Sequence, residues 1–98
     1  MNITRLNHFT AKTEKADALG RLLASAIPLI RASSGCVSCE LIQSQPTPTR
    51  FVVLETWDRA ESHQQALKSI PPSAFAGIME LLDGAPSGEY FTAFPSSH

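Results

Sequence analysis

The sequence predicts an α+β fold of the ferredoxin-like type, a split βαβ pattern in which helices cover one face of a four-stranded antiparallel sheet. Two observations carry this prediction. The spacing of apolar residues alternates between the strand period of two and the helix period of about 3.6, which gives the element order β-α-β-β-α-α-β. The 98 residues are also enough chain for one hydrophobic core. A single domain over residues 1–98 is therefore expected.

The first strand and the first helix follow from a change of period. Residues 3–12 mix β-branched and aromatic side chains with polar ones, which is typical of a strand. From Glu14 to Ile30 apolar residues recur at steps of three and four, as in an amphipathic helix. Pro28 lies inside this stripe and has no amide N–H, so a kink or a restart is expected there. Ser33-Ser34-Gly35 is expected to end the helix.

A hairpin is predicted in the middle of the chain. Residues 36–43 and 50–57 are rich in apolar side chains and are predicted to be strands. The segment 44–49 between them holds two prolines among polar residues and cannot extend a central strand. Because this link is short, the two strands are expected to pair antiparallel.

The second helix is predicted over residues 59–68. Asp58 followed by Glu61 fits a capping box, in which two side chains bind free amides at the start of a helix. Pro71-Pro72 is expected to break this helix, because proline removes an amide donor and clashes with the preceding turn.

A third helix and a fourth strand complete the pattern. Ser73 is expected to cap a helix that continues to Gly84, since Phe75, Ile78, Met79 and Leu82 follow helical spacing. Residues 89–94 are predicted to form the last strand, and residues 96–98 a frayed end.

Apolar residues occupy both faces of the predicted sheet. In the third strand Phe51 and Val53 alternate with Val52 and Leu54, so both sides of that strand are apolar. Helices are available to cover only one of these faces. A second copy of the chain is the simplest cover for the other, so we expect a homodimer packed sheet against sheet.

Composition limits the possible partners and locations. The formal net charge is -1 and the arginines are scattered, so nucleic acid is not an expected partner. No apolar run approaches the roughly 20 residues of a membrane span, and the first residues lack the apolar block of a signal peptide. We therefore expect no membrane partner and a cytoplasmic location, where cysteines are reduced.

The two cysteines form a C-x-x-C that is not expected to be a redox or metal site. Cys36 and Cys39 lie in a predicted strand, where residues three apart point to opposite faces. Zinc would need two further ligands, and no other Cys or His has the spacing of a zinc finger. Buried structural thiols and no bound metal are the expectation.

His63 is the main candidate for acid–base chemistry. It lies on the predicted inward stripe of the second helix, with Ala60, Leu67 and Ile70, and so should point towards the sheet. Such a histidine is either a hydrogen-bonded core residue or a titratable group in a pocket whose pKa lies near working pH.

Three strand residues are further candidates. Trp57 is the only tryptophan and could be core, an aromatic wall, or an indole N–H donor to a planar ligand. Asn7 disfavours the middle of a strand, so it is either solvated or places an amide beside a ligand oxygen. Glu55 could pair with an arginine or lie in the same cavity.

These residues also carry a resemblance. Gly35-Cys36 opening a strand, and the sequence Arg-Phe-Val-Val-Leu-Glu-Thr-Trp over residues 50–57 before a capped helix, resemble the antibiotic biosynthesis monooxygenase domain family. The resemblance extends from about Ile3 to Phe94. It implies a dimeric α/β barrel, in which each small ferredoxin-like chain dimerises through its sheet.

The resemblance further implies a pocket between sheet and helices that binds a polycyclic phenol and oxidises it to a quinone without metal, flavin or haem. Trp57 falls on a pocket residue of the family. A polar first-strand residue of the family falls on Asn7. The family's helical histidine falls on Ala66, as does the tryptophan of the haem-degrading branch. Haem degradation is therefore not expected. Either His63 takes the acid–base role from an adjacent turn of the helix, or the chain has lost this chemistry.

The leading hypothesis is a cofactor-independent monooxygenase that oxidises an aromatic or quinol-type small molecule with O2. His63 is the predicted proton acceptor, Asn7 binds a substrate oxygen, and Trp57 flanks the ring. The predicted substrate-binding residues are Phe9, Val53, Glu55, Phe75 and Met79. Two alternatives are a non-catalytic dimer that binds or senses a small apolar ligand, and a structural dimerisation unit with a filled core.

Overall fold

A computed structural model describes residues 2–95. Its elements are four strands, three α-helices or helical turns and one 3-10 helix, in the order β-α-β-β-α-3-10-α-β. Their bounds are β1 Ile3–Thr10, α1 Ala16–Arg31, β2 Cys36–Gln43, β3 Arg50–Trp57, α2 Ala60–Ser69, the 3-10 helix Pro72–Phe75, α3 Ile78–Leu81 and β4 Ser87–Phe91. The predicted frayed end at residues 96–98 lies outside the described residues.

The four strands form one antiparallel sheet in the order β2-β3-β1-β4. The β2–β3 pair is the predicted hairpin, while β1 and β4 come from the two ends of the chain. This arrangement confirms the α+β, ferredoxin-like fold, since it is the strand order of a split βαβ pair.

Helix α1 supplies most of the helical half of the core. Its inward residues are buried because apolar positions three and four apart share one face of a helix; they are Leu19, Leu23, Ala26, Ile27 and Ile30. The prediction of a restart at Pro28 is wrong, because α1 runs unbroken through it to Arg31. Within residues 2–95, no helix has the length and apolar character needed to span a membrane.

The register of β1 against β3 separates two faces of the sheet. Asn7 lies opposite Val53 and Phe9 opposite Phe51, on the face that the helices cover. The other face, which we call the open face, has no helix from residues 2–95 against it. Its apolar side chains are partly exposed and are Leu6, Ile42, Val52, Leu54 and Phe91.

The two cysteines share a face, so the prediction that they point to opposite faces is wrong. The β2–β3 register shifts between Cys36 and Ser38, which places Cys36 opposite Trp57 and Cys39 opposite Glu55. A bulge of one extra residue reverses the alternation that the sequence pattern assumes. Burial raises the pKa of Cys39 to about 12 and raises that of Cys36. Protonated thiols of this kind are poor nucleophiles.

Helix α2 begins without the predicted capping box. Arg59 is the N-cap residue and makes no side-chain hydrogen bond to the helix backbone. Asp58 instead accepts a hydrogen bond from the Ser62 hydroxyl, and its amide donates to the carbonyl of Gly35. Gly35 has φ +88°, and a side chain there would collide with Ser62 and Asp58. The start of α2 is thus held against the start of β2.

The predicted third helix is interrupted. Ala76 is extended and Gly77 has φ 83°, so the segment divides into the 3-10 helix and the single turn of α3. Glycine adopts this left-handed conformation without a steric penalty. The spacing of apolar residues does not reveal the break, because it is the same on both sides of Gly77. Strand β4 also begins two residues earlier than predicted and ends at Phe91.

Candidate functional site

A cavity of about 380 Å³ lies between the covered face of the sheet and the helices. It is apolar over most of its surface and polar at one end. Its lining residues are Asn7, Phe9, Leu23, Ala26, Ile30, Val53, Glu55, Trp57, His63, Ala66, Leu67, Ile70, Pro72 and Phe75. A cavity of this size and character is typical of small-molecule sites.

The polar end is organised around the carboxylate of Glu55, which is 5% exposed. The indole Nε1 of Trp57 donates to Oε1 of Glu55 at 2.8 Å. The amide Nδ2 of Asn7 donates to Oε2 at 2.8 Å. Strand alternation explains the first bond, since Glu55 and Trp57 are two residues apart on one face. Both carboxylate oxygens therefore have protein donors.

His63 lies beside this carboxylate and is 5% exposed. Its Nε2 is 3.9 Å from Oε1 of Glu55, which is too long for a hydrogen bond. Its Nδ1 and the hydroxyl of Tyr90 are 2.6 Å apart and share a hydrogen bond. Since Nδ1 is occupied, Nε2 is the ring nitrogen left for a ligand in the cavity.

Burial acts on the two titratable groups of the polar end in opposite directions. It raises the pKa of Glu55, and this is only partly offset by the hydrogen bond from Trp57, the charge of Arg5 and the hydrogen bond from Asn7. Burial, followed by the charge of Arg5, lowers the pKa of His63. Each shift disfavours the charged form of its group, so His63 is neutral near pH 7.

Arg5 connects the polar end to the edge of the sheet. Its Nε donates to Oδ1 of Asn7 at 3.1 Å, and its guanidinium carbon lies 4.7 Å from the centroid of the Tyr90 ring. Gly88 leaves the room for this arrangement, because a Cβ there would collide with the Arg5 guanidinium and lie 2.7 Å from Asn7 Oδ1. The Asn7 amide is thereby fixed with its oxygen towards Arg5 and its nitrogen towards Glu55.

The cavity brings together most of the residues that the sequence singled out. Those that line it are Asn7, Phe9, Val53, Glu55, Trp57, His63 and Phe75. Met79 does not line it: the single turn of α3 packs on the core through Ile78 and Leu81, and Met79 is 64% exposed.

Two details of the predicted site are corrected by the geometry. The indole N–H of Trp57 is not free for a ligand, because it donates to Glu55, so Trp57 offers only its ring as a wall. The inward residues of α2 are His63 and Ala66, and Ile70 just after the helix packs on the core as predicted. Leu67, predicted to point inward, lies at the rim of the cavity and is 65% exposed.

Sequence reasoning missed Arg5 and Tyr90. Both are polar residues that face the helices, and the ladder places them directly opposite each other. Tyr90 lies between Glu89 and Phe91 in the last strand, so strand alternation places its side chain on the opposite face from theirs. This alternation was the signal for an inward hydroxyl. Its partner could not be identified, because the register of β4 against β1 depends on contacts between the two ends of the chain.

The polar end offers one proton acceptor, His63 Nε2, one buried carboxylate beside it, and one oriented amide. Among residues 2–95 no group of three or more His, Cys, Asp or Glu side chains is placed to hold a metal ion. The remaining lining is apolar and aromatic, which suits a planar ligand with one polar substituent.

Solved structures share this fold over nearly the whole chain. Rv0793 from Mycobacterium tuberculosis is 20% identical with a TM-score of 0.83, and the match covers 100% of both chains. SO0527 from Shewanella oneidensis is 26% identical with a TM-score of 0.79, over 92% of this chain and 88% of that one. A protein from Nitrosomonas europaea, proposed to be an antibiotic biosynthesis monooxygenase, is 16% identical with a TM-score of 0.85, over 98% and 94%.

The sequence itself carries the family assignment. No curated protein matches the chain. The family model described as antibiotic biosynthesis monooxygenase matches residues 2–84, which include β1, the hairpin and every helix that borders the cavity. This chain, with its strand motif ending at Trp57 and the buried pocket beside it, therefore belongs to the antibiotic biosynthesis monooxygenase family.

Proposed function

We propose that this protein is a monooxygenase that uses O2 to oxidise a phenolic aromatic molecule to a quinone, with no resident cofactor. The observation that carries the proposal is that Nε2 of the buried His63 has no hydrogen-bond partner among the described residues and lies at the polar end of an otherwise apolar cavity. A phenol fits both ends, because its ring can pack on the apolar lining while its hydroxyl reaches His63.

The first step is removal of the phenolic proton by His63 Nε2. Glu55 lies close enough to stabilise the imidazolium that results, since Oε1 is 3.9 Å from Nε2. The free N–H of the Asn7 amide can donate to the phenolate oxygen, because its other N–H is held by Glu55. Exclusion of water by the apolar lining strengthens both interactions.

The phenolate then supplies the electrons. It passes one electron to O2, and the phenoxyl radical and superoxide combine at the ring carbon para to the oxygen. The resulting peroxide anion takes the proton from His63, which then removes the proton from that carbon as the O–O bond breaks. The hydroxide that departs takes this proton from His63 and becomes water. One oxygen atom stays in the quinone and the other leaves as water, so phenol and O2 give quinone and water in balance.

We further propose that the functional unit is a homodimer joined through the open face. Ile42 is 47% exposed and Phe91 41% exposed on that face, beside the partly buried Leu6, Val52 and Leu54. Removing these apolar side chains from water stabilises the protein, and a second copy of the chain offers a matching apolar surface because it presents the same open face. Analytical ultracentrifugation at micromolar concentration should give the mass of two chains; a monomer would contradict this.

A non-catalytic binding protein is the second candidate. It is favoured by the saturation of Glu55, whose two oxygens are both bound to protein donors and so are not free to act on a ligand. In this alternative the same cavity holds a small apolar molecule without converting it.

Oxygen uptake separates these two candidates. The purified protein would be mixed with a panel of two- and three-ring phenols under air, and O2 consumption, quinone absorbance and thermal stabilisation would be recorded together. The monooxygenase predicts equal amounts of O2 consumed and quinone formed for phenols that bind. A phenol that raises the melting temperature but is never oxidised would support the binding protein instead.

A further inference from the structure

The ring of His63 is held between two aromatic side chains. Its centroid lies 5.6 Å from that of Trp57 at an interplanar angle of 61°, and 5.4 Å from that of Tyr90 at 85°. Both contacts are edge-to-face arrangements, which aromatic rings prefer. With Nδ1 bonded to the Tyr90 hydroxyl as well, the ring cannot rotate to exchange its two nitrogens without breaking that bond.

The distance from His63 to Glu55 indicates which ring nitrogen carries the proton. Trp57 and Asn7 each donate to the Glu55 carboxylate at 2.8 Å. A proton on His63 Nε2 would make it a third donor to the same buried carboxylate, and a proton on the carboxyl group would be donated to Nε2. Either case draws the atoms to hydrogen-bond distance, yet they are 3.9 Å apart. This separation is the one expected of an Nε2 that has no proton.

A neutral imidazole without a proton on Nε2 carries it on Nδ1. The hydrogen bond between His63 and Tyr90 then has one direction: Nδ1–H donates and the phenolic oxygen accepts. We propose that Tyr90 is the positioning residue of His63, holding the ring in the tautomer whose unprotonated Nε2 faces the cavity. This inference rests on the proposed function for its catalytic consequence, but the tautomer itself does not depend on any activity.

Arg5 and Gly88 hold Tyr90 in place. The Arg5 guanidinium lies over the tyrosine ring, where a cation is attracted to the π-electrons. Gly88 precedes Tyr90 by two residues and lies opposite Asn7, on the same face of the sheet. Its missing side chain provides the space that Arg5 fills.

Within residues 2–95, the charged or titratable groups that contact or face His63 come from three strands. They are Arg5 of β1, Glu55 of β3 and Tyr90 of β4. The helical neighbours of the cavity contribute apolar side chains only. Within the described part of the chain, the Tyr90 hydroxyl is thus the group placed to accept the Nδ1 proton.

The direct test is the tautomeric state of His63 in the free protein, read from imidazole nitrogen chemical shifts of histidine-labelled protein near pH 7. The His63 signals are identified as those lost in His63→Gln. We expect a protonated Nδ1 and an unprotonated Nε2 in the native protein, and a shift towards the Nε2–H form in Tyr90→Phe. A native protein with the proton on Nε2, or a Tyr90→Phe spectrum unchanged from it, overturns the inference.

Kinetics supply the second readout. With a phenol that the native protein oxidises, Tyr90→Phe should lower kcat about 10-fold while KM changes less than about twofold, because Tyr90 does not line the cavity. Glu61→Gln is the control, since Glu61 is exposed on α2, the helix that carries His63, and lies away from the open face. It should match the native protein in both readouts.

The outcomes separate this inference from the proposed function. The predicted tautomers without turnover of any phenol would contradict the monooxygenase and leave the role of Tyr90 intact. Turnover with the opposite tautomer, or with kcat unaffected in a folded Tyr90→Phe, would contradict the role of Tyr90 and leave the monooxygenase intact.

Discussion

The two ends of the cavity are built in different ways. The polar end is fixed by the pairing register of three adjacent strands. In that register Arg5 of β1 lies directly opposite Glu55 of β3 on one side and Tyr90 of β4 on the other. The apolar end comes from helices α1 and α2 and from the short 3-10 helix that ends at Phe75. Hydrogen bonds have strict geometry whereas apolar contacts are tolerant, so strand residues fix the polar groups around His63 of α2, while the other helical residues set the shape of the apolar end.

The largest expected effect comes from removing the proton acceptor. His63→Ala should lower turnover of an oxidisable phenol by about 100-fold or more, the usual contribution of a general base. Turnover is measured as O2 uptake, with circular dichroism and sedimentation to verify the fold and the assembly. Gln64→Ala is the control, because Gln64 is the exposed neighbour of His63 on α2. Unchanged turnover in His63→Ala would remove this residue from the mechanism.

Glu55→Gln tests whether the polar end depends on one buried acceptor. The glutamine places an NH2 group against either the Trp57 or the Asn7 donor, which leaves one donor unpaired. We expect a loss of about 1–3 kcal/mol in the free energy of unfolding, measured by urea denaturation. Glu14→Gln, at an exposed position between β1 and α1, should lose much less. Equal losses in the two variants would show that the Glu55 hydrogen bonds are not structural.

Phe75→Leu tests the tolerance of the apolar end. Leucine keeps an apolar wall but removes the flat face on which an aromatic ring packs, so KM should rise about threefold with kcat nearly unchanged. Steady-state kinetics with the same phenol would measure both constants. A fall in kcat comparable to that of His63→Ala would mean that the two ends do not divide their roles.

A smaller effect is expected in the pH dependence of stability. The pKa of His63 is lowered in the folded protein, so between that lowered value and the ordinary value of about 6.5 the unfolded chain binds more protons. The contribution of His63 is therefore complete above about pH 6.5 and is lost as the pH falls. The raised pKa of Glu55 has the opposite sign, since its folded form binds more protons above its ordinary value.

Thermal unfolding of the native protein and of His63→Gln between about pH 7 and pH 5 would measure this contribution. The melting temperature of the native protein should fall more steeply on acidification than that of the variant. Parallel curves would mean that burial does not shift the His63 pKa.

The sequence was sufficient to predict the fold and most of the cavity lining. Alternation in β3 and the helical period of α1 are local signals, and they correctly placed Val53, Glu55 and Trp57 on the covered face. His63 was predictable for the same reason, as an inward position of α2.

The errors arose where structure depends on a single residue or on distant pairing. The bulge after Cys36 and the left-handed Gly77 each redirect the next stretch of chain, and neither alters the apolar pattern. Tyr90 was missed because its contact with His63 joins residues 27 positions apart, on an element whose register the sequence does not define.

The central claim is that His63 initiates oxidation of a phenol by O2 inside the cavity. The most direct measurement is the mass of the quinone formed from an oxidisable phenol with hydrogen on the carbon para to its hydroxyl, such as 1,5-dihydroxynaphthalene, under isotopically labelled dioxygen, with short reaction times to limit exchange with water. We predict one labelled oxygen atom per quinone for the native protein and almost no product for His63→Ala. Unlabelled quinone, or the same labelled yield from both proteins, would contradict the claim.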